Sequence, residues 1–208
     1  LPPGVLGLVN GPGSTLGTAL VSDPRVNKVS FTGSTAVGER ITQIAGIKKL
    51  SLELGASSPV IVSKNADLEQ AAHSISLGGY VNAGQVCIAA QRVIVERAIE
   101  DDFVALLKHK VEAITVGNPL DDDTMVGTLI TEAEAIRVEK AIEGVVADGA
   151  TLVTGGQRDR TMVAPAIISN VSADHSFAQT ELFGPAVSIT TAKDYQHALE
   201  LANNSPYG

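Results

Sequence analysis

The feature that most constrains this chain is an alternation. Short apolar runs follow amphipathic segments from one end of the 208 residues to the other. Val5 to Val9 is apolar, and Gly11-Pro12-Gly13 breaks it. Ser14 to Val21 reads as a helix that stops near Asp23-Pro24, and Lys28 to Phe31 as a strand. Thr32-Gly33-Ser34 turns the chain into a helix with Val37, Ile41, Ile44 and Ala45 on one stripe. Leu50 to Leu54 closes the block as a strand. The first 55 residues therefore read as β-α-β-α-β, the unit from which parallel sheets with right-handed crossovers are made.

A second block begins at strand Val60 to Val62, and a boundary is expected near Gly55. A helix from about Asp67 turns Leu68, Ala72 and Ile75 inward. Gly78-Gly79 and Asn82-Ala83-Gly84 interrupt the pattern before Cys87, and Arg92 to Val95 is a strand. Ile99 to Ile114 carries a stripe of Phe103, Leu107, Val111 and Ile114. Thr131-Glu132-Ala133-Glu134 resembles a capping box ahead of Val138, Ile142 and Val145. Leu152-Val153, Ala166 to Ile168 and Val187 to Ile189 are short strands, and Asp194 caps a last helix. The fold class is α/β.

Apolar residues make up 44%, enough for a substantial core. A formal charge of -8 argues against nucleic acid and anionic membrane surfaces, which recruit clustered Lys and Arg. No apolar run approaches the roughly 20 residues of a membrane span, and no secretory signal pattern is present. The single cysteine makes no internal disulfide and suits a reducing compartment, so a cytoplasmic location is expected. His73, His109, His175 and His197 show no metal-ligand spacing, and no metal site is expected. The chain opens Leu1-Pro2-Pro3 and ends Pro206-Tyr207-Gly208, which reads as a piece of a longer protein.

Four segments can carry chemistry. Phe31-Thr32-Gly33-Ser34 joins a strand to a helix, where a residue without a side chain and a capping hydroxyl suit a pyrophosphate. A cap and a small residue are also ordinary features of such a turn. Glu53 ends an apolar strand, where α/β sheets place ligands. The plainer reading is a solvated strand end. Cys87, in Gly84-Gln85-Val86-Cys87-Ile88, is either an inert core thiol or a nucleophile with room for a ligand beside it. Glu181-Leu182-Phe183-Gly184-Pro185 puts an acid and an aromatic ring before a turn.

Together, and in this order, these segments resemble the aldehyde dehydrogenase superfamily. They are similar to its Phe-Thr-Gly-Ser cofactor motif, its glutamate motif (Glu53-Leu54-Gly55), its cysteine motif and its Glu-x-Phe-Gly-Pro motif. Pro2-Pro3-Gly4-Val5, Gly117-Asn118-Pro119 and Asn203-Asn204-Ser205-Pro206-Tyr207-Gly208 extend the resemblance along the whole chain. The resemblance implies part of a Rossmann-type cofactor domain over residues 1–55. It implies an α/β catalytic domain over 56–208.

It implies oxidation of a small-molecule aldehyde to a carboxylic acid with NAD or NADP. Cys87 would be the nucleophile, passing through a thiohemiacetal and a thioester. Glu53 would be the base that activates water. The Cys87 backbone N–H would be an oxyanion donor. Gly33 and Ser34 would hold the pyrophosphate, and Gly13 would lie near the adenosine half. Glu181 would bind the nicotinamide ribose, with Phe183 beside the nicotinamide. Leu54 counts with the cofactor-contacting residues. Ala56 departs from the usual Glu-Leu-Gly-Gly. A CoA-acylating or phosphate-linked relative generally lacks the base that Glu53 supplies. A non-catalytic scaffold would have little reason to keep Cys87, Glu53 and Glu181 together. In the family, a second oxyanion donor, the adenosine-ribose grip and a C-terminal segment lie outside the span seen here. The 208 residues alone are therefore expected to be inactive, and the full-length protein to be a homo-oligomer.

Overall fold

The computed structural model describes residues 1–207. It divides into two compact units, Leu1–Gly55 and Ala56–Gly208.

In the first unit, helices α1 (Gly13–Ser22) and α2 (Thr35–Ile44) accompany two parallel strands, β1 (Lys28–Thr32) and β2 (Lys49–Glu53). The register pairs Lys28 with Lys49 and Thr32 with Glu53. Val21, Ile41 and Ala45 are its buried apolar residues, packed by Val29, Phe31, Ile44, Leu50 and Leu52. Val37, placed by the periodicity on the inward stripe, is 45% exposed.

Val5 to Val9, expected as the first strand, is not one. Its residues are exposed, and no described segment pairs with it. An apolar run becomes a strand only where its N–H and C=O groups find a ladder partner.

The second unit is built on a five-stranded sheet in the order β3-β4-β9-β8-β5. The strands are β3 (Pro59–Val62), β4 (Arg92–Glu96), β5 (Thr151–Thr154), β8 (Ala166–Ser169) and β9 (Ala186–Ala192). The first four in that order are mutually parallel, and β5 runs antiparallel to β8. A two-residue pairing of β6 (Arg158–Asp159) with β7 (Met162–Val163) stands apart. The helices are α3 (Leu68–Gly78), α4 (Glu100–Glu112), α5 (Glu132–Ala147), α6 (Ser176–Gln179) and α7 (Tyr195–Asn203).

The β4 and β9 centres are buried throughout, as parallel strands covered on both faces require. The stripes Phe103-Leu107-Val111 of α4 and Val138-Ile142-Val145 of α5 enter one core with Val93, Val95, Val187 and Ile189. Asp67, Thr131 and Asp194 accept from the third residue on, capping α3, α5 and α7. Only half of the expected capping box forms. Thr131 accepts from the Glu134 N–H at 3.2 Å, while the Glu134 carboxylate turns to Arg137 at 2.7 Å.

Arg92 is 2% exposed at the start of β4. Its guanidinium donates to the carbonyls of Leu201, Ala202 and Asn204 at 3.0, 2.8 and 3.2 Å, closing the C-terminus of α7. Among the described residues no carboxylate is paired with it, and its partners are the carbonyls at the negative end of the helix dipole. Burial lowers its pKa from the ordinary arginine value.

Candidate active site

The topology of the second unit decides which loops meet. β4 and β9 are parallel neighbours with Arg92 opposite Ser188. The segments entering them, one with Cys87 and the other with Glu181, therefore arrive side by side at the amino ends of the strands. Tyr80, fully buried, anchors the first of these segments by donating its hydroxyl to the Ala166 carbonyl at 2.9 Å. Burial raises its pKa well above the usual tyrosine range.

Asn82, Ala83 and Gly84 then take left-handed φ of 54°, 55° and 69°. Such strain at a non-glycine residue costs on the order of 1–3 kcal/mol and persists where the surroundings fix it. Here the fixing contact is a close approach. A Cβ on Gly84 would stand 2.1 Å from the Gly184 carbonyl oxygen. Phe183, the neighbour of Gly184, is itself left-handed at φ 50°. The two loops are bent toward each other, backbone on backbone.

Cys87 occupies the corner of a turn closed by the Ala89 N–H on the Val86 carbonyl at 3.0 Å. It is exposed, not a core thiol. Its own N–H donates to no acceptor among the described residues. Gln85 fastens the next wall. Its amide donates to the Thr128 carbonyl at 3.3 Å and accepts from the Ile130 N–H at 2.9 Å. Ile88, Ile130 and Phe183 present exposed apolar surface at 80%, 80% and 42%.

Glu181 is half-buried and held by residues that local pattern could not reveal. Its N–H donates to the Tyr207 hydroxyl at 3.2 Å. On either side, the Gln91 amide donates to the Thr180 carbonyl at 2.8 Å and accepts from the Leu182 N–H at 2.7 Å. Burial raises the Glu181 pKa, and the Ala56 backbone N–H pulls the other way.

The remaining expected residues lie in the first unit. The Gly33 N–H donates to the Glu53 carbonyl at 3.0 Å, so its donor is already used. Gly33 also lies under the Phe31 ring, which a Cβ would meet at 2.5 Å. An anion at this turn would instead meet the Thr35 and Ala36 N–H groups, which have no acceptor among the described residues. Ser34 is the N-cap of α2 and accepts from the Val37 N–H at 3.4 Å. Glu53 is exposed at the carboxyl end of β2. The Leu54 side chain packs against Gly38 of α2, where a Cβ would come within 2.5 Å of it. Gly13 opens α1 with nothing within 4 Å of a Cβ. Gly13, Ser14, Gly17, Phe31 and Arg40 help line an apolar cleft of about 600 Å³. The start of α1 borders this cleft, while α2 contributes Val37, Arg40, Ile41 and Ile44 and not its N-terminus. Among the described residues there is no cluster able to hold a metal, and no helix is long and apolar enough to cross a membrane.

The profile of the aldehyde dehydrogenase family matches residues 1–208. This chain belongs to the aldehyde dehydrogenase family. It is 41% identical over 208 residues to the lactaldehyde dehydrogenase of Methanococcus aeolicus, covering 100% of this chain and 44% of that protein. Two solved structures superpose with a TM-score of 0.92 each. One is the NADP-dependent glyceraldehyde-3-phosphate dehydrogenase of Bacillus halodurans complexed with NADP, 38% identical, covering 96% of this chain and 42% of that one. The other is the betaine aldehyde dehydrogenase of Staphylococcus aureus with NAD+, 35% identical, covering 95% and 41%. The aldehyde dehydrogenase chain described here thus spans less than half the length of the relatives it matches, and its α/β architecture is theirs.

Proposed function

We propose that this chain carries the nucleophile, the hydrolytic base and much of the dinucleotide site of an NAD- or NADP-dependent aldehyde dehydrogenase. The observation that supports this best is the close approach of Gly84 to Gly184, which seats the cysteine loop against the loop of Glu181 and Phe183.

In this reading the Cys87 thiolate attacks the aldehyde carbonyl carbon. The Cys87 N–H stabilises the developing oxyanion. NAD or NADP, when bound, accepts the hydride. The thiohemiacetal on Cys87 thereby becomes a thioester. Glu53 takes a proton from water, which attacks the thioester carbon. The acid leaves and the thiol is restored. The helix starts at Ser34 and Gly13 suit the pyrophosphate and the adenosine half, and the apolar cleft suits the adenosine. The Glu181 carboxylate would accept from ribose hydroxyls, and Phe183 would pack beside the nicotinamide. The lactaldehyde and glyceraldehyde-3-phosphate named for two relatives are both small 2-hydroxyaldehydes, which supports that substrate class. A nucleophilic thiol must stay reduced, which suits the cytoplasm.

The test uses the protein expressed from its full reading frame. Cys87→Ala removes turnover while NAD(P) still binds. Glu53→Gln releases one equivalent of NAD(P)H in rapid mixing and then stalls. Turnover of more than a few per cent in the first variant, or unchanged steady-state turnover in the second, contradicts the assignment.

A further inference from the structure

Glu181 sits in a loop with no ladder of its own, yet its main chain is held at three points. Two come from one side chain. Gln91 is 5% exposed, and its primary amide donates to the carbonyl just before Glu181 and accepts from the N–H just after it. A backbone peptide in a neighbouring strand would pair in the same way. Gln91 is far away in sequence, 89 residues from Thr180 and 91 from Leu182. It reaches them because β4 and β9 are adjacent. The Gln91 carbonyl also accepts from the Ser188 N–H at 2.8 Å, so the residue is fixed to β9 by its backbone and to the Glu181 loop by its side chain.

We propose that Gln91 is a positioning residue for Glu181. It does not touch the cofactor. Its amide substitutes for a missing strand partner and fixes the direction in which the Glu181 carboxylate is presented. This rests on the reading of Glu181 as a cofactor residue. A purely structural glutamine would satisfy buried groups anywhere in the core. This one brackets a single residue, and that residue bears the carboxylate. A similar bracket, made by Gln85 around Leu129, holds a buried aliphatic residue rather than a carboxylate.

A double-mutant cycle separates the roles. In the protein expressed from its full reading frame, NAD(P) dissociation constants are measured for wild type, Gln91→Leu, Glu181→Gln and the double variant. Positioning predicts that Gln91→Leu weakens binding about tenfold in the wild type, the worth of two net hydrogen bonds. In the Glu181→Gln background it should weaken binding less than about twofold, because the group it aimed is no longer a carboxylate. If Gln91→Leu fails to fold, Gln91→Asn, too short to span both partners, enters the same cycle. Equal weakening in both backgrounds, or none in either while Glu181→Gln weakens binding, overturns the positioning role alone. Unchanged NAD(P) binding in Glu181→Gln overturns the cofactor reading of Glu181, and the positioning role with it.

Discussion

Replacing Gly84 by alanine would set a methyl carbon 2.1 Å from the Gly184 carbonyl oxygen, 2.5 Å from its carbon and 3.0 Å from the Pro185 nitrogen. All three are backbone atoms, so no rotamer change relieves the overlap. The loops must separate by more than an ångström. Holding alanine at φ +69° adds about 1–2 kcal/mol. Overpacking against fixed neighbours adds about 1–3 kcal/mol. The total, roughly 2–5 kcal/mol, is a large share of the 5–15 kcal/mol that holds a typical domain. The matched control is Gly144→Ala on α5, where a Cβ meets nothing within 4 Å. There the same substitution should stabilise by about 0.5–1 kcal/mol through helix propensity. Urea titration followed by circular dichroism reads both, and at a slope of about 1–3 kcal/mol/M the Gly84→Ala midpoint falls by on the order of 1–2 M. The Cys87 alkylation rate should also change in Gly84→Ala and not in Gly144→Ala. If Gly84→Ala melts with the wild type, the two loops are not seated backbone on backbone.

Cofactor affinity should be full at neutral pH and fall on acidification through the raised Glu181 pKa, above the ordinary glutamate value of 4.5. The carboxylate is the accepting form, so protonation weakens binding. The stability sign is opposite, because a raised carboxyl pKa favours the folded state at low pH and that contribution is lost as pH rises. Fluorescence titration at several pH values checks this, and Glu181→Gln should lack the acid step. Ser34→Ala should cost about 0.5 kcal/mol in thermal melting, the low end for a cap with a long bond, and weaken NAD(P) binding without slowing Cys87 alkylation. An alkylation rate that fell as far as cofactor affinity would argue against Ser34 serving the cofactor. Arg92→Leu should destabilise by roughly 2–4 kcal/mol by stranding three carbonyls at the end of α7. A neutral urea midpoint would mean that desolvating the guanidinium cancels its bonds.

Elements with strong local chemistry were legible in the sequence. The stripe Val138-Ile142-Val145, the helix start near Asp67 and the caps at Thr131 and Asp194 lie where periodicity and side-chain oxygens put them. Val5 to Val9 was not, because hydrophobicity says nothing about a ladder partner. Gly79 reads as a helix breaker and does cap the end of α3, but its φ of -84° needs no glycine, and a Cβ there would meet Val187 at 2.7 Å. It is a packing glycine, a property of a contact more than 100 residues away in sequence. The antiparallel pairing of β5 and the β6–β7 pairing carry too few residues for a period-2 pattern to stand out. The motif residues around Cys87 and Glu181 could be named from resemblance. Gln91 and Tyr207 as the clamps on Glu181 could not, since nothing local distinguishes them from other buried or half-buried polar residues. The sheet also places Cys87 and Glu181 at the amino ends of parallel strands, opposite to the usual carboxyl-end rule that Glu53 follows.

The burial of the second unit's central strands has a consequence for exchange. Val93, Ile94 and Val95 are almost wholly buried between parallel neighbours on both sides. Their amide protons should exchange only through opening of the whole sheet, at a free energy near that of unfolding the unit. The segment 82–88 has no ladder, and its amides should exchange through local opening at a much lower free energy. A ligand that binds only the closed loop draws that opening toward closure, by about 2.7 kcal/mol at a hundredfold excess over its dissociation constant. Ligand binding would therefore slow exchange in the cysteine loop about a hundredfold and leave Val93, Ile94 and Val95 unchanged.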